Sequence, residues 1–180
     1  MSNLLKIGIP LLLIFGAVSF LMTGSLGEVT FTESSFQAPK EHVAVEIKAL
    51  AGSNDFMNKM DEVSKLNKSN KLLGTFAVWY SNNPDIIQDS IMIRIGVVLP
   101  ENSGFSLQTL PDSSFRVFPI ETNQYLQAEV NAKEMFTPGP SEVNKRLEKY
   151  ASENNLKLAS PILEQYLTDG RIITSREILK

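Results

Sequence analysis

From Ile7 to Gly27 the chain carries no charged side chain, a run of 21 residues. As a helix rising 1.5 Å per residue, such a run spans about 31 Å, enough to cross a hydrocarbon core. Its densest part, Leu11 to Phe15, is apolar at every position and so does not read as one face of a soluble helix. A cleaved signal peptide is the alternative. Only Lys6 and the amino terminus precede the run and no Ala-x-Ala site follows it, although Thr23-Gly24-Ser25 offers small residues. Residues 1–27 are therefore expected to form a retained transmembrane anchor, with the membrane contact over 7–27. Lys6 before the run, and Glu28 and Glu33 as the first charges after it, place the domain on the extracytoplasmic side by the positive-inside rule. Secretion after signal cleavage is the alternative address.

The residue inventory narrows the chemistry. No cysteine is present, which removes disulfides, Cys-ligated zinc and thiol nucleophiles together. His42 is the one histidine, which excludes a His-based metal cluster, and neither a metal nor a cofactor is expected. Taking Lys6 from the 17 Lys/Arg leaves 16 basic against 20 acidic residues after the anchor. A mildly acidic domain lacks the basic face that nucleic acid requires.

Beyond the anchor the pattern alternates and then turns helical, twice. Val29 to Phe36 and Val43 to Leu50 read as strands, and Gly52-Ser53 punctuates them. Phe56, Met60, Val63 and Leu66 recur at helical spacing, with Ser53 or Asp55 as cap. Thr75 to Tyr80 is a strand, residues 81–85 are a turn, and Ile91, Ile93, Ile95 and Val97 mark the strongest strand. Residues 100–114 are a connector. Then Phe115 to Phe118 and Tyr125 to Val130 read as strands, followed by a helix capped by Ser141 with Val143, Leu147, Tyr150 and Ala151 as its stripe. Pro161 to Leu167, the Asp169-Gly170 turn and Ile172 to Leu179 form a closing hairpin.

Set side by side with a one-residue offset, LLGTFAVWYSN and ASPILEQYLTD place Tyr80 opposite Tyr166. The expected fold is α+β: two pseudo-symmetric βαββ repeats, about 28–99 and 115–180, joined into one antiparallel sheet with two helices packed on it. A cleft where such halves meet is a default ligand site.

The second half, from Thr137 to Lys180, resembles the GyrI-like domain, also called the bacterial effector-binding or SHS2-type small-molecule-binding domain. Its helix is followed by a strand carrying Glu164 and, two residues on, Tyr166. In the first half, GTFAVWYSNNPD is similar to the aromatic strand and turn of that family's first repeat. The resemblance covers about residues 28–180 and implies a bacterial protein that binds small, apolar or cationic molecules between repeats. It implies a glutamate at the base of the groove with aromatics around it, roles that pass to Glu164, Tyr166, Trp79 and Tyr80. The family's drug-responsive regulators carry a helix-turn-helix, for which the N-terminal segment here has no room, and gyrase inhibition drops out with it. Some GyrI-like proteins are hydrolases. That reading makes Glu164 a general base with Tyr166 or Tyr80 as proton donor. A degenerate domain that docks a protein partner at the membrane, of unknown identity, is the third expectation.

Strand alternation refines these roles. Ile162, Glu164 and Tyr166 share one face, whereas Trp79 and Tyr80 point to opposite faces, so only one of them lines the cleft. A carboxylate among rings attracts a lipophilic cation, and each ring adds about 0.5–2 kcal/mol of cation–π attraction. Arg94 is expected either to pair with Glu164, to bind an anionic ligand, or to lie on the wet face of the sheet. His42, at a loop-to-strand junction, is expected at the surface.

Overall fold

The computed structural model describes residues 27–35, 40–69, 72–84, 89–100, 112–121, 123–133 and 137–179. The expected anchor, apart from Gly27, lies outside these residues. No helix among the described residues is long and apolar enough to cross a membrane. In chain order the elements are β1 (Thr30–Ser35), β2 (Lys40–Ala49), α1 (Asn54–Lys68), β3 (Thr75–Tyr80), β4 (Ile91–Val98), β5 (Phe115–Ile120) and β6 (Gln124–Asn131). They continue with α2 (Pro140–Glu153), β7 (Lys157–Leu158), β8 (Ile162–Tyr166) and β9 (Arg171–Leu179).

Local chemistry accounts for most boundaries. The Ser53 side chain accepts from the Phe56 amide at 3.4 Å, which caps α1 as expected. The second helix differs: Gly139, not Ser141, is its N-cap, and no side chain caps it. Pro140 explains the earlier start, because its fixed φ suits the first helical position and its missing N–H costs nothing there. Strand β5 runs through Pro119, beyond the expected Phe118, and does so at an edge of the sheet, where proline is tolerated. Gly170, at φ +96°, closes the β8–β9 hairpin.

Antiparallel pairing gives the order β1-β6-β9-β8-β3-β4-β2-β5, with β7 added to the end of β9. From the β3–β8 joint outward, each side reads as three strands of one half and then the leading strand of the other. β1 lies beside β6, and β5 lies beside β2. The leading strands are exchanged between halves.

Register fixes the faces. One row crosses the sheet as Phe31, Ala128, Thr174, Glu164, Val78, Ile95, Val45 and Phe115. Both helices cover this face. Phe56 and Val63 of α1 pack with Val43, Val45, Ile93 and Ile95, and Val143 and Leu147 of α2 pack with Leu126, Ala128 and Val130. Each helix covers its own half, α1 against β2 and β4 and α2 against β6 and β7. The β3–β8 seam between them is left for a groove.

Candidate functional site

The seam has a two-fold logic. Tyr80 pairs with Ile162 and Phe76 with Tyr166, while Val78 and Glu164 pair at the centre. A two-fold through that centre relates Tyr80 to Tyr166 and Val78 to Glu164. The two tyrosines are therefore equivalent, but only the second half supplies a carboxylate. Glu164 is the one charged side chain in its row across the sheet, and it is 6% exposed.

Burying that carboxylate is tolerable because it is hydrogen-bonded. Tyr166 donates to Glu164 Oε2 at 2.8 Å, and Tyr80 donates to the same oxygen at 3.4 Å. Burial pushes the Tyr166 phenol well above the ordinary tyrosine range, with the negative charge and hydrogen bond of Glu164 adding to it. Tyr166 therefore stays a neutral donor at any physiological pH. Its ring leans on Phe76 at 5.6 Å between centroids, and the Tyr80 ring leans on Phe56 at 6.2 Å. These contacts fix both hydroxyls toward the seam.

Above the carboxylate lies a groove of about 260 Å³. Tyr80, Ile162 and Glu164 line it from the sheet, Phe56 from α1 and Asn144 from α2. The turn at Ala51-Gly52, the loop at Pro84 and the start of α2 at Pro140 complete it. Asn144 is 4% exposed, and its Oδ1 is buried with no hydrogen-bond partner. Sequence reading passed over it, although a polar residue on the stripe of Val143, Leu147 and Ala151 is a visible signal. One wall is held by Arg176, which donates to the Ala159 carbonyl at 3.0 and 2.8 Å and to Glu148 at 2.8 Å. Glu148 also accepts from Asn83 at 3.1 Å, so α2 and β9 are tied to the loop after β3.

Of the five expected ligand-binding residues, the structure brings Glu164, Tyr166 and Tyr80 together and places Trp79 and Arg94 elsewhere. Both face the opposite side of the sheet, in the row Leu163, Trp79, Arg94 and Glu46. Arg94 does not pair with Glu164. Its Nε donates to Glu46 at 2.7 Å, and its guanidinium lies 4.1 Å from the Trp79 ring centre and 3.9 Å from that of Phe118. The backbone separates the two sets, because alternation sends positions 79 and 94 away from the helices.

The expectation for His42 also changes. β2 begins at Lys40, so His42 is a strand residue between Val98 and Phe118, and it is 2% exposed. Beside it runs a row of minimal side chains, Ala77, Gly96 and Ala44. The imidazole reaches over that row to hydrogen-bond the Ala77 backbone. Burial lowers its pKa to about 4, so the ring is neutral. His42, Trp79, Arg94 and Tyr125 border a second cavity of about 210 Å³ on this face. Among the described residues, no cluster of acidic side chains or histidine has the makings of a metal site.

No protein-family profile and no curated protein matches the sequence. Solved structures do match its fold. The C-terminal domain of EcmrR superposes with a TM-score of 0.57 at 8% identity, over 86% of this chain and 99% of that one. SAV2435, solved bound to tetraphenylphosphonium, gives 0.51 at 13% identity, over 85% and 94%. A hydrolase from Listeria innocua gives 0.52 at 9% identity, over 85% and 92%. At these identities the likeness establishes the fold: an antiparallel α+β sheet carrying two helices, shared with those three proteins.

Proposed function

We propose that this protein binds a small amphipathic ligand, cationic ones included, in the groove between its halves and thereby senses or sequesters it. The observation that carries the reading is the Glu164 carboxylate, buried at the base of an open groove and oriented by Tyr80 and Tyr166. A cationic ligand is attracted to that carboxylate by its charge, and the rings of Phe56 and Tyr80 add face attraction. Binding of tetraphenylphosphonium by SAV2435, which shares the fold, supports the same use of it here. Residues 7–27 are proposed to anchor the chain in a membrane, with the domain on the extracytoplasmic side, so that capture takes place where amphipathic compounds concentrate.

The test is a thermal-shift screen of the full chain in phosphatidylcholine nanodiscs, against lipophilic cations and neutral amphiphiles. A ligand at a hundred times its dissociation constant adds about 2.7 kcal/mol of stability. Glu164→Gln is expected to lower cation affinity at least tenfold while leaving the protein folded. Cation shifts that persist undiminished in that variant would place the site elsewhere.

A second reading, hydrolysis in the same groove, is favoured by one feature. Glu164 lies within hydrogen-bond reach of a tyrosine held firmly in its donor form. Product analysis on any ligand that binds separates the two readings. The third expectation, a docking module, calls for a groove filled by the protein's own side chains, whereas this one encloses about 260 Å³.

A further inference from the structure

We propose that the groove prefers cations that also carry a neutral hydrogen-bond acceptor, a ketone, ester or ether oxygen, with the charge toward Glu164 and the oxygen on Asn144 Nδ2. The inference rests on the groove reading above and names its ligand class. Asn144 is 4% exposed and lines the groove from α2. Its two amide atoms differ. Oδ1 is sealed from solvent, and Nδ2 is the polar atom left to meet the groove. Among the described residues, none accepts a hydrogen bond from Nδ2. A nearly buried donor without a partner is costly, and a ligand that accepts from it removes that cost on binding.

The two sides of the groove are opposite in polarity. The sheet supplies the Glu164 carboxylate, toward which Tyr80 and Tyr166 direct their hydroxyls. The α2 side supplies the Asn144 amide and, at Pro140, a helix N-terminus that no side chain caps. Aligned peptide dipoles over 14 residues make that end partially positive. Glu142 lies in the first turn, but its carboxylate is engaged by Arg146 at 2.9 Å. A cation is therefore drawn toward Glu164 and turned away from α2, and the part of the ligand that meets α2 is best an acceptor. A plain alkyl cation leaves Nδ2 unpaired. A carboxylate would accept from it, but would bring a second negative charge into the groove of about 260 Å³ that holds Glu164. A neutral oxygen has neither defect. Specificity of this kind is asymmetric, because a site built to hydrogen-bond a ligand group rejects the analogue that lacks it.

The experiment compares pentyltrimethylammonium with three ions of the same chain and charge that carry a ketone on the second, third or fourth carbon. Affinities are read by calorimetry and thermal shift on the full chain in phosphatidylcholine nanodiscs, with empty nanodiscs as blank and tetraphenylphosphonium alongside. At least one keto cation is expected to bind about two- to tenfold more tightly than the alkyl cation, the range of one neutral hydrogen bond. Asn144→Leu, which removes the donor, should bring that ion down to the level of its alkyl counterpart. Asn144→Ala, of smaller volume, should do the same. Three keto cations no tighter than the alkyl one, or binding of tetraphenylphosphonium alone, in each case weakened by Glu164→Gln, would overturn the inference and leave the groove reading standing. A keto preference that survives both Asn144 variants would overturn it too. No binding by any of the five cations would bring down the inference and the groove reading together.

Discussion

At Gly96 the sheet leaves no room for any side chain. A Cβ there would lie 1.9 Å from the Val43 carbonyl oxygen and 2.6 Å from the Ala44 Cα, both backbone atoms that cannot rotate away. Gly96→Ala is therefore expected to cost more than the usual 1–3 kcal/mol of overpacking, read as a lowered denaturant midpoint. The same minimal row lets His42 lie buried and neutral, and this gives a pH dependence with a definite sign. The folded-state pKa of about 4 is below the free value of 6.5, so the unfolded chain takes up the proton first. Stability from this residue is intact above pH 6.5 and is lost as pH falls toward 4. Between pH 7.5 and 5 the loss is about 2 kcal/mol, from 1.36 kcal/mol per pKa unit. Urea melts at the two pH values should show it, and in His42→Leu the difference should shrink by about that amount. An unchanged difference in the variant would mean that His42 is protonated when folded.

At the scale of elements, most of the chain was legible because its periods are clean. The run of Ile91, Ile93, Ile95 and Val97 has one interpretation, and it is the buried face of β4. The pairing of Glu164 with Tyr166 was legible for the same reason, since positions two apart on a strand share a face. What alternation could not say is which face the helices cover. That depends on packing between elements distant in sequence, so Trp79 and Arg94 were grouped with Glu164 although the backbone of the sheet lies between them. The start of α2 was misplaced by a hydroxyl where a proline decides. That leaves a cap unfilled. Gly139 has φ −70°, and a Cβ there meets nothing within 4 Å. Gly139→Ser should add the missing side-chain acceptor and stabilise the protein by a few tenths of a kcal/mol. A melting temperature raised by about a degree is the expected readout, and a fall would show that the first turn of α2 has no space for the hydroxyl.

At the scale of the whole molecule, the exchange of leading strands decides how the halves depend on each other. β1 belongs to the first half by sequence but completes the second, covering β6, where Phe31 stacks on Tyr150 of α2 at 4.7 Å. β5 begins the second half but completes the first, burying Phe115 against the core beneath α1. A fully buried phenylalanine contributes about 1.5–3 kcal/mol, a large share of what a fragment of some 70 residues can muster. The Asn83–Glu148–Arg176 link and the β3–β8 pairing add further ties across the joint. Residues 28–100 alone would thus lose β5, leave β1 without its partner strand and expose the seam edge of β3. This fragment is expected to show no cooperative unfolding transition by circular dichroism, and neither is 101–180. Mixed together, the two should recover one, because every broken contact lies between them. A sharp, independent transition in either fragment would mean that the exchanged strands decorate two self-sufficient units. The groove would then lie at a joint free to open. In an interlocked sheet the tyrosines on both sides of Glu164 are instead held in register before any ligand arrives, so little ordering remains to be done on binding.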